Sequence, residues 1–362
     1  MSEAAPDPFL KLTARGRGAI SNLSGRFESY QREAFDDGWL EGEAPPPLRT
    51  TVSADHARTV ISRNDSPDIA FDQSINPYRG CEHGCIYCYA RPAHAYMGLS
   101  PGLDFESRLF FKREAGARLA EELSHPRYRP KVIHVGGNTD PYQPVERRLR
   151  VTRSVIEILW AFRHPFSIIT KSALILRDLD ILRPLAEARL VRVAISVTTL
   201  DRTLARDMEP RAATPERRLL AIRRLSEAGI PVMVMFAPVI PGLNDFEMEA
   251  VLERAAKAGA VGAGYITLRL PREVEPLFVE WLRSERPDRA ARALSLMRQI
   301  HGGRLKDPRF GHRMHGQGPL ADLLAQRFAL ARGRTGLDAA RPPLDLSQFR
   351  PHALSRQGDL FG

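Results

Sequence analysis

Six short β-rich runs, each separated from the next by a helical stretch, fill the middle of this chain and leave few architectures open to it. The strands read "DIAFDQSI", "KVIHVGG", "FSIITKS", "VRVAISVTT", "PVMVMFAPVI" and "GYITLRLP". Between them lie "REAGARLAEELS", "RLRVTRSVIEILWAFR", "LRDLDILRPLAEAR", "TPERRLLAIRRLSEAG" and "DFEMEAVLERAAKAG". Strand, helix and strand with short connections predict an α/β fold with a parallel sheet covered by helices. Six units suit a partial (β/α)6 TIM-type barrel better than a full eight-stranded one, with reactive groups at the C-terminal strand ends. The fourth helix shows the local logic. Leu219, Leu220, Ile222 and Leu225 make an apolar stripe, Thr214 caps the start ahead of Pro215, and Gly229 ends it where a C-cap needs positive φ.

The barrel spans residues 66–272. Residues 1–65 contain "GRGAISNLSGRF", an acidic patch "FDDGWLEGE" and "APPPL", and read as an N-terminal extension that wraps the core or stays partly loose. Residues 273–340 read as a helical C-terminal appendix and 341–362 as a flexible tail. At 43% hydrophobic and 27% charged the chain is typical of a folded soluble protein, and no run of about eighteen apolar residues predicts a membrane span. The opening "MSEAAPDPFLKLTARGRG" lacks an apolar signal core, so a cytoplasmic location is expected. The 53 Lys+Arg against 43 Asp+Glu give a net charge of +10. That surplus favours a nucleic-acid partner, although an arginine-rich composition explains it equally well.

All three cysteines, Cys81, Cys85 and Cys88, sit in "NPYRGCEHGCIYCYARPAH", directly after the first strand. In a reducing cytosol they read as metal ligands rather than a disulfide framework. Zinc with His83 as fourth ligand is one reading, but His83 is two residues from both Cys81 and Cys85, tight for a tetrahedral site. A [4Fe–4S] cluster needs four ligands, so three cysteines leave one iron open to an exogenous group.

The spacing C-x3-C-x2-C, with Tyr87 just before the last cysteine and a partial barrel behind it, resembles the radical S-adenosylmethionine superfamily. The resemblance covers roughly residues 66–272. It implies that the open iron chelates S-adenosylmethionine, whose reductive cleavage yields a 5′-deoxyadenosyl radical that abstracts hydrogen from substrate. It also implies a reductase or flavodoxin-type electron donor. In "VGGNTDPYQPVE", Gly136 and Gly137 let backbone approach a ligand closely, and Asn138, Thr139 and Asp140 offer polar contacts. The stretch is similar to the family's motif for the methionine amino group, though Asn138 stands where an acidic residue is common, and a plain Gly-Gly turn is the alternative. Lys171 ends the third strand and by resemblance pairs with the cofactor carboxylate. Ser196 and Thr198 alternate onto one face of the fourth strand as hydrogen-bond candidates, although β-propensity also explains them. Arg211 is placed to grip a carboxylate or phosphate, or is a surface charge. "FAPVIPGLND" is similar to the loop that contacts adenine in relatives.

Within the superfamily, "INPYRGCEHGCIYCYAR", "GGNTDPYQPVE" and "SVTT" resemble the spore photoproduct lyase-like group, the DNA repair photolyases. The resemblance implies a nucleic-acid substrate, with DNA favoured. In the lyase a cysteine outside the cluster donates hydrogen. This chain has no fourth cysteine, so Tyr89, Tyr142 and Tyr265 are the candidate radical relays. The alternatives are a protein or small-molecule substrate, or a non-catalytic metal-stabilised module. The terminal "QGDLF" resembles the motif that docks repair proteins on the bacterial sliding clamp, with Gln357 as polar anchor and Leu360 and Phe361 for an apolar pocket. His301, His312 and His315 cluster with Arg304, Lys306 and Arg313. They close the barrel mouth or touch phosphate, or form a solvated basic loop on the appendix, the favoured reading. His134 reads as core or barrel-lining, and His94 is undecided.

Overall fold

The computed structural model describes residues 16–30, 47–351 and 353. Among them are ten strands: β1 (Thr51–Ala54), β2 (Ile61–Arg63), β3 (Gln73–Ile75), β4 (Tyr78–Arg79), β5 (Arg108–Phe111), β6 (Ile133–Val135), β7 (Phe166–Thr170), β8 (Val191–Ser196), β9 (Val232–Val239) and β10 (Gly262–Thr267). The six expected strands are β3 and β6 to β10, paired in parallel in that order. β2 runs antiparallel along β3, and the sheet stays open with β2 and β10 as its edges. This is the partial (β/α)6 barrel. β1, β5 and β4 make a separate small sheet, of strands too short to stand out by periodicity.

Alternation along the strands divides the barrel into two faces. Val191, Val193 and Ile195 of β8 and Val232, Val234 and Phe236 of β9 are buried in the main core beneath the helices. Arg192, Ala194, Met233 and Met235 alternate onto the concave face and are only half-buried. The second helical stretch splits at Arg150, which takes φ +54 between Glu146–Leu149 and Val151–Ala161. Helix Pro215–Glu227 starts and stops as expected: the Thr214 hydroxyl accepts from the Arg217 amide, and Gly229 has φ +76. Its stripe differs in one place. Leu220 is exposed, and Arg218 shares the buried face with Ile222 and Leu225.

Neither end of the chain is an accessory. A second core joins Ala19 and Ile20 of the N-terminal extension, Cys85, Ile86 and Tyr87 of the cysteine loop, and Leu277, Phe278, Trp281 and Met297 of helices Val274–Glu285 and Pro287–Ile300. The described part of the extension from Gly16 to Leu23 therefore wraps, and the expected appendix forms a wall behind the cysteine loop. Helix Pro319–Arg334 covers β10, where Phe328 packs on Tyr265. No helix among the described residues is long and apolar enough to cross a membrane.

The tail expected to be flexible from 341 is strapped to the sheet up to 350. Arg341 donates to the Val261 carbonyl, the Asp345 amide to Arg189, the Gln348 amide side chain to Ala188, and the Arg350 amide to Phe162. Phe349 seats edge-on against His164, whose Nε2 lies 2.8 Å from the Tyr128 hydroxyl. The physical reason is that the carbonyls of Phe162, Ala188 and Arg189 need donors where the preceding helices end, and the tail supplies them.

Burial pushes the His164 imidazole down to about 4, against the hydrogen bond to the Pro165 carbonyl. The fold holds the neutral ring. Its contribution is full above pH ~6.5 and is lost as pH falls toward the folded value, a span worth about 3 kcal/mol. Urea unfolding at stepped pH should show the wild type losing about 3 kcal/mol more than His164→Gln between pH 7 and 4; parallel curves would refute the assignment.

Candidate metal and cofactor site

The cysteine loop leaves the C-terminal end of β3 and crosses the mouth of the half-barrel before a 3-10 helix at Arg91–Met97. Cys81 and Cys85 are buried and Cys88 is half-buried. One guanidinium fixes the loop from behind. Arg91, fully buried, donates to the carbonyls of Cys85, Gly84, Pro101 and Gly102 at 2.9–3.2 Å and to Glu106. Glu106, also fully buried, accepts the Gly18 and Ala19 amides at 2.8 Å. A Cβ on Gly18 would lie 1.7 Å from the Gly84 carbonyl, so only glycine permits this approach.

Burial, reinforced by neighbouring charges, pushes the Cys81 and Cys85 thiols well up; burial raises that of Cys88 as well. Charge on these sulfurs therefore needs a bound cation to neutralise it. Among the described residues no three His, Cys, Asp or Glu side chains converge on a single-ion site. Three thiols carried on one loop are a donor set that an iron–sulfur cluster takes. His83, the alternative fourth ligand, is buried with its Nδ1 3.3 Å from Asp140 Oδ2.

The strand-end residues divide by what they touch. Gly136 has φ +95, and a Cβ there would press Pro141 at 2.7 Å and the Ile169 carbonyl at 3.0 Å. The Gly137 carbonyl accepts the Tyr89 hydroxyl, linking the β6 turn to the cysteine loop. Asn138 is exposed, its amide held by the Asn76 side chain at 2.7 Å. Thr139 turns inward to the Tyr78 carbonyl at 3.0 Å. Asp140 accepts from the Thr170 hydroxyl at 2.6 Å and the Lys171 amide at 2.8 Å. Burial works to raise its carboxyl, but His83 and these donors hold it down to about 2. Thr139 and Asp140 thus tie the turn after β6 to β4 and to the end of β7.

On the opposite wall, Lys171 Nζ donates to Ser196 Oγ at 3.0 Å and lies 5.8 Å from the Tyr87 ring centroid. Thr198 donates to Glu209 at 2.7 Å, and Tyr87 and Arg218 reach the same carboxylate. Burial raises the Glu209 carboxyl against the Arg218 charge. Asn244 fixes the loop after β9 by donating to the carbonyls of Thr198 and Pro238 at 2.8 and 2.9 Å. Arg211 spends its fork on Glu82 at 2.7 Å and the Gly16 carbonyl at 3.1 Å.

Of the three relay tyrosines only Tyr89 borders the site. Tyr142 is sealed in the core with its hydroxyl on Asp178 at 2.9 Å, and Tyr265 faces the outer layer between Phe328 and His315. Neither reaches the mouth. Gln357, Leu360 and Phe361 lie outside the described residues. His301 is buried on the Leu268 carbonyl, His94 is buried beside Phe105, and His134 stacks on Phe71 in the concave face. The sequence reading missed Arg91, Glu106, Glu209 and Arg218. Arg218 alone gave a signal, a charge on the apolar stripe of its helix.

Comparison with known proteins bears on this geometry. The family model described as the Radical SAM superfamily matches residues 75–255, half of the chain. An uncharacterised protein of Mycobacterium tuberculosis is 37% identical over 233 residues, 64% of this chain and 68% of its own length. One from Methanocaldococcus jannaschii is 30% identical over 173 residues, 48% of this chain and 62% of its own. A spore photoproduct lyase variant superposes with TM-score 0.58 at 16% identity, covering 78% of this chain and 79% of that one. The lyase complexed with a dinucleoside spore photoproduct gives 0.58 at 15% over the same shares. At these identities the likeness to the lyase is one of fold.

Breaking the buried pair by Arg91→Met should cost about 3–5 kcal/mol. The double variant Arg91→Met with Glu106→Met should cost clearly less than the sum of the two single changes in urea unfolding; strict additivity would show that the pair does not act as a unit.

Proposed function

We propose that this chain, which belongs to the radical S-adenosylmethionine superfamily, acts on nucleic acid, with DNA favoured. It is an enzyme whose cofactors are a [4Fe–4S] cluster and S-adenosylmethionine. The observation that carries the substrate reading is the shared fold with a lyase whose solved complex holds a dinucleoside spore photoproduct. The net charge of +10 supports it.

When bound, the cluster and S-adenosylmethionine supply a carbon-centred radical able to take hydrogen from an unreactive C–H bond. Cys81, Cys85 and Cys88 would hold three irons and leave the fourth to the cofactor. Lys171, aimed by Ser196, presents an ammonium for the cofactor carboxylate. Gly136 and Gly137 offer backbone close to its amino group. Thr198 and Tyr87, set by Glu209 and Arg218, shape the wall between them. With no cysteine outside the loop, Tyr89, whose hydroxyl donates to the Gly137 carbonyl, is the candidate radical relay of this proposal. Docking of Gln357, Leu360 and Phe361 on a bacterial sliding clamp, and electrons from a reductase or flavodoxin-type protein, belong to the same proposal.

The test is 5′-deoxyadenosine production by anaerobically reconstituted protein under strong reductant. Cys85→Ala should fall to background, and Lys171→Ala should raise KM for S-adenosylmethionine about tenfold with kcat less affected. Lesion-bearing DNA should stimulate turnover. Stimulation by no nucleic acid would move the substrate to a protein or small molecule.

A further inference from the structure

At the rim of the half-barrel two arginines face one carboxylate. Asp68, in the segment before β3, accepts the Gly311 amide at 2.7 Å on one oxygen and the Arg313 guanidinium on the other. Both its oxygens are engaged. Arg269, just past β10, is half-buried, and its Nη1 has only the Met314 sulfur, 3.7 Å away. Among the described residues no carboxylate lies within ion-pair distance of it.

The surroundings are rigid. The Thr267 amide and hydroxyl both donate to the Met314 carbonyl, at 2.8 and 3.0 Å, which ties the 309–316 loop to β10. Asp68 ties the same loop to the far side of the opening. The loop thus spans the gap that the open sheet leaves. Burial and the neighbouring Arg313 act against the charge on Arg269, and Asp68, already engaged by Arg313, acts for it. A half-buried guanidinium with no anion is costly, and its planar fork matches a phosphate.

We propose that Arg269, just past the C-terminal end of β10, receives a phosphodiester of the substrate at the mouth. This rests on the nucleic-acid reading above. Lys171 stands at the end of β7, on the other wall, and is the cation assigned to the cofactor carboxylate, which leaves Arg269 for a different anion.

The experiment is fluorescence anisotropy of the reconstituted holoprotein with a labelled thymidine oligomer, in phosphodiester form and as its uncharged methylphosphonate analogue. Arg269→Gln should bind the charged oligomer about tenfold more weakly and the uncharged one unchanged. Arg269→Lys, which keeps charge but not fork, should lose about threefold and carries the test if the glutamine variant fails to fold. Arg223→Gln, at an exposed position on helix Pro215–Glu227, removes equal charge and should change neither. Equal losses on both oligomers, or no loss on the charged one, would overturn the proposal. So would a loss of S-adenosylmethionine affinity in Arg269→Gln by equilibrium dialysis, which would give the arginine to the cofactor. A wild type that binds neither oligomer would sink the nucleic-acid reading itself, and this assignment with it.

Discussion

The Arg91 guanidinium is buried behind the cysteine loop with its charge compensated by Glu106 and its remaining donors placed on four main-chain carbonyls. Two of those carbonyls, of Gly84 and Cys85, belong to the loop that carries the thiols. A loop of this kind has few apolar side chains to hold it and many backbone groups to satisfy. Arginine is suited to the task because it stays charged and its fork reaches several acceptors at fixed angles. Such a buried pair contributes little net stability over a well-packed apolar substitute. Its effect lies in fixing where the sulfurs point, and that orientation is what the catalytic reading requires.

The same pair explains why the ends of the chain belong to the site. Glu106 accepts the Gly18 and Ala19 amides, so the N-terminal extension completes the shell around the loop. The helices after β10 supply Leu277, Phe278 and Trp281 to the core against which Ile86 and Tyr87 pack. Across the mouth, Glu209 and Arg218 repeat the arrangement for Tyr87 and Thr198. Two buried ion pairs, one on each side, thus hold the open face in place.

The six parallel strands, the open barrel and the gathering of all three cysteines on one loop were readable from local pattern because each rests on short-range rules: period-two burial, helix caps and residue spacing. Lys171 and Ser196 followed from their positions at strand ends. What escaped depends on contacts far apart in sequence. Nothing local marks Glu106 as the acceptor for Gly18, 88 residues away, or ties Arg313 to Asp68, 245 residues away. Tyr142 and Tyr265 were misplaced for the same reason: composition does not tell which face of a strand end or loop a tyrosine takes. The strap at 341–350 was read as loose because its partners, Phe162, Ala188, Arg189 and Val261, lie 80 or more residues away in sequence and leave no local periodicity.

Three cysteines on one loop would hold three irons of a [4Fe–4S] cluster and leave the fourth corner to S-adenosylmethionine. Electron paramagnetic resonance of the anaerobically reconstituted, reduced protein, recorded with and without S-adenosylmethionine, reads that corner directly. A [4Fe–4S]+ signal that shifts on adding the cofactor is the expected result. Protein that takes up one zinc in place of iron, or a cluster signal that the cofactor leaves unchanged, would contradict it.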